Sequence, residues 1–183
     1  MLSDDDRQTL LGVARSSVRY GLEHGIALPV SVSDYSPALQ APKACFVTLK
    51  INDELRGCIG SLEANRPLVE DVAQNAFAAA FRDPRFTRLQ ESEYAQLHYH
   101  ISVLNPPEPV VFSGEADLLQ QLRPGVDGLV LQDGRHRGTF LPQVWESLPE
   151  PQEFLRHLKH KAGLPADYWS DQIKVLRYTV EEF

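Results

Sequence analysis

Two alternating stretches separated by Asn52-Asp53 set the first constraint on how this chain can fold. In Lys43 to Ile51 the residues Cys45, Val47, Leu49 and Ile51 fall on one side of an extended backbone, and Glu54 to Gly60 returns as a second extended arm. Turn residues between two such arms predict a β-hairpin, so antiparallel sheet is built in from here. The returning arm reads Leu55-Arg56-Gly57-Cys58-Ile59-Gly60. Strict alternation predicts Leu55, Gly57 and Ile59 on the core side, with Arg56, Cys58 and Gly60 on the other. That second side sets a thiol about 6.5 to 7 Å from a guanidinium, near enough for fixed positive charge to favour the thiolate where water is excluded. Gly57 and Gly60 strip side-chain cover from around Cys58, which lets another backbone or a small ligand come close. Cys45 sits in an apolar alternation and reads as a small buried hydrophobe.

Helices flank the hairpin. From Ser3 to His24, Leu10, Val13, Ala14, Val18 and Leu22 recur at helical spacing; Ser3 with Asp6 forms a capping box, and Gly25 is placed to end the helix. Ile26 to Pro42, with three prolines and several serines, predicts an irregular surface connection. Asn65-Arg66-Pro67 then opens a second helix, whose stripe runs through Leu68, Val69, Val72, Ala73, Ala76, Phe77, Ala80 and Phe81. Its alanines predict close packing on the sheet. Pro84 ends it and leaves Arg82, Asp83 and Arg85 between Phe81 and Phe86. Two readings of this loop stand side by side. Arg82 or Arg85 forms a rim that binds a carboxylate or phosphate, or Asp83 pairs locally with an arginine while the phenylalanines pin the loop.

Leu97 to Val103 alternates cleanly and predicts a half-buried strand with His98, His100 and Ser102 on its polar side. With His157 and His160 these histidines invite a metal, but none falls in a zinc-type spacing and no carboxylate or thiol accompanies them, so no metal is assigned. Asn105-Pro106-Pro107-Glu108-Pro109 is a stiff connection and the predicted seam between subdomains of one 183-residue domain. Beyond it the sequence predicts a strand at Val110 to Phe112, a helix at Glu115 to Leu122, and a turn at Arg123 to Gly128. A hairpin follows, of Leu129 to Gln132 and His136 to Phe140 around Asp133-Gly134. A short helix starts at Pro142, an amphipathic one spans Pro151 to Ala162, and a last strand covers Ile173 to Val180. Thr139 and Gln143 are the polar groups here most suited to facing a cleft or to holding a turn.

Composition narrows the function classes. A net charge of -7 argues against broad nucleic-acid binding, which needs basic surface. No apolar run is long enough to span a bilayer, and the acidic start is unlike a signal peptide, which together predict a cytoplasmic protein. Cys45 and Cys58 lack CxxC spacing and read as free thiols in a reducing compartment.

Five motifs, in order, carry a resemblance: Leu55 to Gly60, Ala79 to Phe86, Ile101 to Leu104, Arg123 to Gly128, and Gly138 to Trp145. Together the chain resembles the AMMECR family, that of the AmmeMemoRadiSam system protein A, from about the first strand to the C-terminus. The resemblance implies an α+β fold of mainly antiparallel sheets with packed helices, in a larger and a smaller subdomain. It also implies that the LRGCIG stretch, here with Arg56 and Cys58, is the functional site, and that a Memo-type protein and a radical SAM protein are partners. The iron-sulfur cluster would belong to the radical SAM partner, since two cysteines here cannot supply the usual four, and no cofactor is assigned to this chain. His100 departs from the family pattern, which commonly has an acidic residue there.

Two functions follow. In one, the chain is a non-catalytic binding component: the Arg56/Cys58 pocket, Gly57, Gly60, Arg82 and Arg85 recognise a small anionic ligand, and the chain serves its partners. In the other, Cys58 is a nucleophile or redox thiol acting on a small or modified substrate, with His100 as base and an arginine orienting the substrate. The binding reading is at least as well supported, because a catalytic cysteine comes with an identifiable base and the sequence places none beside Cys58.

Overall fold

Two antiparallel four-stranded sheets organise the computed structural model, which describes residues 1–183. The helices are α1 (Asp4–His24), α2 (Pro37–Gln40), α3 (Leu68–Phe81), α4 (Glu91–Tyr94), α5 (Glu115–Gln121) and α6 (Pro151–Lys161), with 3₁₀ turns at Val32–Asp34 and Pro142–Glu146. The strands are β1 (Cys45–Ile51), β2 (Glu54–Gly60), β3 (His98–Leu104), β4 (Glu108–Pro109), β5 (Gly128–Asp133), β6 (His136–Phe140), β7 (Lys174–Tyr178) and β8 (Val180–Glu182). The fold is α+β. The chain divides into two compact units, Met1–Leu104 with Glu181–Phe183, and Asn105–Val180.

In the first unit the strand order is β2-β1-β3-β8. Asn52 and Asp53 both adopt positive φ, 52° and 63°, the twist that suits a two-residue hairpin turn between β1 and β2. Val47, Leu49 and Ile101 project from one sheet face into a core completed by Leu10, Val13, Ala14 and Val18 of α1 and by most of α3. The capping box of Ser3 and Asp6 forms, and Gly25 closes α1 at φ 74°. α3 is apolar on nearly all sides, and its two buried polar residues, Asp71 and Asn75, have partners. Asp71 Oδ2 accepts from the Cys45 amide at 3.1 Å and from the Cys45 thiol at 3.2 Å, and Asn75 Nδ2 donates to the Cys45 carbonyl at 3.2 Å. Burial pushes both the Asp71 carboxyl and the Cys45 thiol up from their ordinary values. The stretch expected to be irregular contains α2, which starts at Pro37 and buries Leu39.

The second unit has strand order β4-β7-β5-β6, and its core gathers Leu129, Leu131, Val175, Phe154, Leu155 and Leu158. Trp145 stacks on Phe154 with ring centroids 3.7 Å apart and donates Nε1–H to the Asp127 carbonyl at 2.7 Å. The fully buried Asp127 carboxylate is held by Arg123 at 2.6 Å, which gives the Arg123 to Gly128 turn its shape.

Two strand expectations are corrected. Ile173 to Val180 is not one strand: β7 belongs to the second sheet and β8 to the first, because Thr179 accepts the Asn105 amide hydrogen at 2.9 Å and the Asn105 side-chain NH₂ at 2.7 Å instead of continuing a ladder. The strand placed at Val110 to Phe112 lies at Glu108–Pro109; Val110 keeps one ladder bond to Val175, and Phe112 turns in to meet Trp169 edge-on at 5.8 Å.

Candidate functional site

The β1–β2 ladder has an irregularity at the site stretch. Leu49 pairs with Gly57 and Lys50 with Leu55, so Arg56 is an extra residue with no partner, a β-bulge. The bulge breaks the alternation expected from sequence. Leu55 lies opposite Lys50 and is 41% exposed, so only Gly57 and Ile59 keep the core side. Gly57 is buried against α3, where a Cβ would stand 2.0 Å from the Ala79 carbonyl oxygen. Gly60 is equally constrained, with a Cβ placed 2.3 Å from the Cys45 carbonyl oxygen.

Arg56, set loose by the bulge, reaches into the loop after α3. Its Nε donates to Glu93 Oε1 at 2.7 Å, and its Nη2 to Glu93 Oε2 and to the Thr87 carbonyl, both at 3.0 Å. The guanidinium lies over the Phe86 ring at 5.9 Å, and Nη1 is buried without a partner. Arg56 holds the Glu93 carboxyl below its ordinary value, as a bidentate ion pair does. The positive charge expected to act on Cys58 is therefore neutralised by Glu93.

Cys58 is half-buried and free. Thr48 Oγ1 donates to its Sγ at 3.2 Å from the neighbouring strand β1. The Cys58 N–H donates to Asp83 Oδ2 at 2.9 Å, and Arg85 Nη2 donates to the Cys58 carbonyl at 3.4 Å. Asp83 is buried, and Arg85 grips it through Nε at 3.0 Å and Nη2 at 2.8 Å. The Arg85 hydrogen bonds, joined by the amides of Cys58 and Arg85, hold the Asp83 carboxyl far below the usual carboxylate range. Arg85 is thus the guanidinium nearest Cys58 in the bonding pattern. Arg82 caps the C-terminal end of α3, exposed, with its guanidinium over Phe77 at 5.0 Å.

Thr48 pairs with Cys58 on one side and with His100 of β3 on the other, so the three residues form a row across three strands. Two strand spacings separate the Cys58 and His100 backbones by about 10 Å, with Thr48 between them. His100 is exposed on this polar face. Thr139 and Gln143 belong to the second unit. Thr139 Oγ1 donates to the Leu129 carbonyl at 2.8 Å and lies 3.0 Å from the Tyr178 hydroxyl, whose pKa burial pushes up to about 12. Gln143 is half-buried in the 3₁₀ turn. No group of three or more His, Cys, Asp or Glu side chains is placed to hold a metal ion, and no helix is long and apolar enough to cross a membrane.

Three residues of this site escaped sequence reasoning in their roles. Thr48 follows from the hairpin register once the bulge is known. Asp83 reaches the Cys58 amide across 25 positions of sequence, and Glu93 reaches Arg56 across 37, for which no local pattern exists.

An α+β chain with two four-stranded antiparallel sheets and a bulged Arg-Gly-Cys strand at the edge of the first defines the class. The protein-family model AMMECR1 matches residues 11–183, and the chain belongs to that family. A protein of Methanothermobacter thermautotrophicus is 35% identical over 190 residues, covering 100% of this chain and 95% of that protein. One of Methanocaldococcus jannaschii is 35% identical over 162 residues, 84% of this chain and 79% of its own length. The crystal structure of an uncharacterized protein from Pyrococcus horikoshii is similar over 99% of this chain and 92% of that one, with a TM-score of 0.91 at 33% identity.

Proposed function

We propose that this chain is a non-catalytic binding component whose recognition site is the polar face carrying Cys58, Thr48 and His100, bordered by the loop from Arg82 to Arg85. One observation carries the reading. The side chain that meets Cys58 Sγ is a threonine hydroxyl, which is no base at neutral pH, and the histidine available as a base stands one strand further away. A thiol nucleophile needs a base within about 3 Å, or one water, of the proton it must lose. The row suits recognition instead, with a half-buried soft sulfur and an exposed imidazole set in line on a rigid sheet by the buried Thr48 between them. The proposed ligand is a small anion; Arg56 and Arg85 are committed to Glu93 and Asp83, which leaves Arg82, over Phe77 at the end of α3, as the remaining candidate arginine of the loop. The Memo-type and radical SAM proteins that the family resemblance implies are its proposed partners, in a reducing cytoplasm.

The test is native-state alkylation of Cys58 by iodoacetamide, followed by peptide mass spectrometry against N-acetylcysteine as the free-thiol standard. The expected result is a rate no faster than the standard and unchanged in His100→Gln. A rate well above the standard that collapses in His100→Gln would overturn the binding reading in favour of a thiol enzyme.

A further inference from the structure

β2 is the outer strand of its sheet, and an outer strand leaves alternate N–H and C=O groups facing away from its neighbour. Cys58 is such a residue. Both of its outward groups are taken by two side chains of one loop: Asp83 Oδ2 accepts the N–H at 2.9 Å and Arg85 Nη2 donates to the carbonyl at 3.4 Å. An acceptor and a donor side by side are what a further strand would offer at this point.

The pair is set in place before it meets Cys58. Arg85 bonds Asp83 through its backbone N at 3.1 Å and twice through its guanidinium. Its guanidinium also lies over Phe86 at 5.5 Å, the ring that Arg56 faces at 5.9 Å while clamped to Glu93. The backbone it holds is already fixed on its other sides, by the β1 ladder from Gly57 to Gly60 and by α3 against Gly57, so the loop closes the one edge left open.

We propose that Asp83 and Arg85 are positioning residues for Cys58: a side-chain stand-in for the missing strand that fixes the Cys58 peptide and thereby aims its sulfur at Thr48. This deepens the recognition-site reading above and rests on it for its functional meaning, because it names what holds that site in shape. Of the two sequence readings of this loop, the local pairing of Asp83 with an arginine is the one Arg85 follows, and its side chain then acts through Cys58 rather than on a ligand.

The experiment compares wild type with Asp83→Ala, Asp83→Asn and Arg85→Lys in the full chain. It reads amide hydrogen exchange at Cys58 and alkylation of Cys58 and Cys45 by iodoacetamide. Cys45 is fully buried on the core side of the same sheet, so it reports general opening while Cys58 reports the site. In Asp83→Ala, Cys58 exchange and alkylation should rise about tenfold, the effect of one lost hydrogen bond on local opening, with Cys45 unreactive. Asp83→Asn keeps an acceptor and should fall between, and Arg85→Lys, which keeps the charge but loses the bidentate grip on Asp83, should fall between as well. A parallel rise at both cysteines, or no change at Cys58, overturns the proposal. If Asp83→Ala does not fold, Asp83→Asn carries the same comparison. The binding reading is judged separately, by the wild-type rate against the free thiol and by His100→Gln, so the two can fail independently.

Discussion

The carbonyl oxygen of Ala79 occupies the place a side chain on Gly57 would need, since a Cβ there would stand 2.0 Å away. The glycine before Cys58 therefore serves the approach of a backbone, that of α3. Ala76, Ala79 and Ala80 complete the close fit on the helix side, each at most 2% exposed. Because α3 leads directly into the Asp83–Arg85 loop, this contact also fixes where that loop meets β2.

Gly57→Ala should destabilise the protein by about 3 kcal/mol, the upper end for overpacking, because the obstacle is backbone and cannot rotate away. Gly12 is the control. It lies within α1, and a Cβ added there would meet nothing within 4 Å, so Gly12→Ala should stabilise by about 0.5 to 1 kcal/mol. Urea unfolding midpoints of the two variants should move in opposite directions. A neutral Gly57→Ala would mean that α3 does not need this approach.

Asp83 gives stability a defined acid limit. Its carboxyl is held below the ordinary 3.8, so the native state favours the ionised form. That contribution is complete above the unfolded value and is lost as pH falls from there towards the lower native value. The stability gap between wild type and Asp83→Asn should be about 2 kcal/mol, constant from neutral pH down to about 5, and should close only in stronger acid. Urea melts across pH read this directly. A gap that already narrows near pH 6 would contradict the assignment.

Much of this architecture was legible because its signals are local. Asn52-Asp53 and Asp133-Gly134 mark hairpins through residues that tolerate positive φ, and Ser3 with Asp6 marks a helix start through two side chains three residues apart. The alanines of α3 announced its tight packing. The bulge at Arg56 left no such mark, since it reflects which residues of β1 and β2 come to pair rather than any residue type. The candidate site was legible as a stretch and not as a constellation. Arg56 and Cys58 share a motif, yet the register sends one to Glu93 and the other to Thr48. Thr179 ended a strand that its sequence continues, because its partner Asn105 lies 74 residues away.

Arg56→Leu separates these two residues experimentally. Because Glu93 rather than Cys58 receives the Arg56 donors, the substitution should leave the Cys58 alkylation rate within about twofold of wild type while costing about 1 to 2 kcal/mol through the lost charge-assisted bonds. Peptide mass spectrometry and urea unfolding on the same sample give both numbers. A strong loss of Cys58 reactivity in a stably folded variant would show that Arg56 acts on the thiol after all.

In the second unit, Lys159 and Glu115 form an ion pair whose two ends differ in burial. The Lys159 side chain is 1% exposed and the Glu115 side chain 34%, with Nζ and Oε1 2.5 Å apart. Nζ has the Ala166 carbonyl at 3.5 Å and the Trp169 ring at 5.5 Å as its other company. Glu115→Ala leaves a buried ammonium without its counter-charge and should cost about 3 kcal/mol. Lys159→Met keeps the packed stem, removes the buried charge and frees a carboxylate that water can reach, so it should stay within about 1 kcal/mol of wild type. Thermal and urea unfolding of the two single variants measure the asymmetry. Equal losses would place the stabilisation in the attraction between the charges, whereas a large loss in Glu115→Ala alone places it in the desolvation of Lys159.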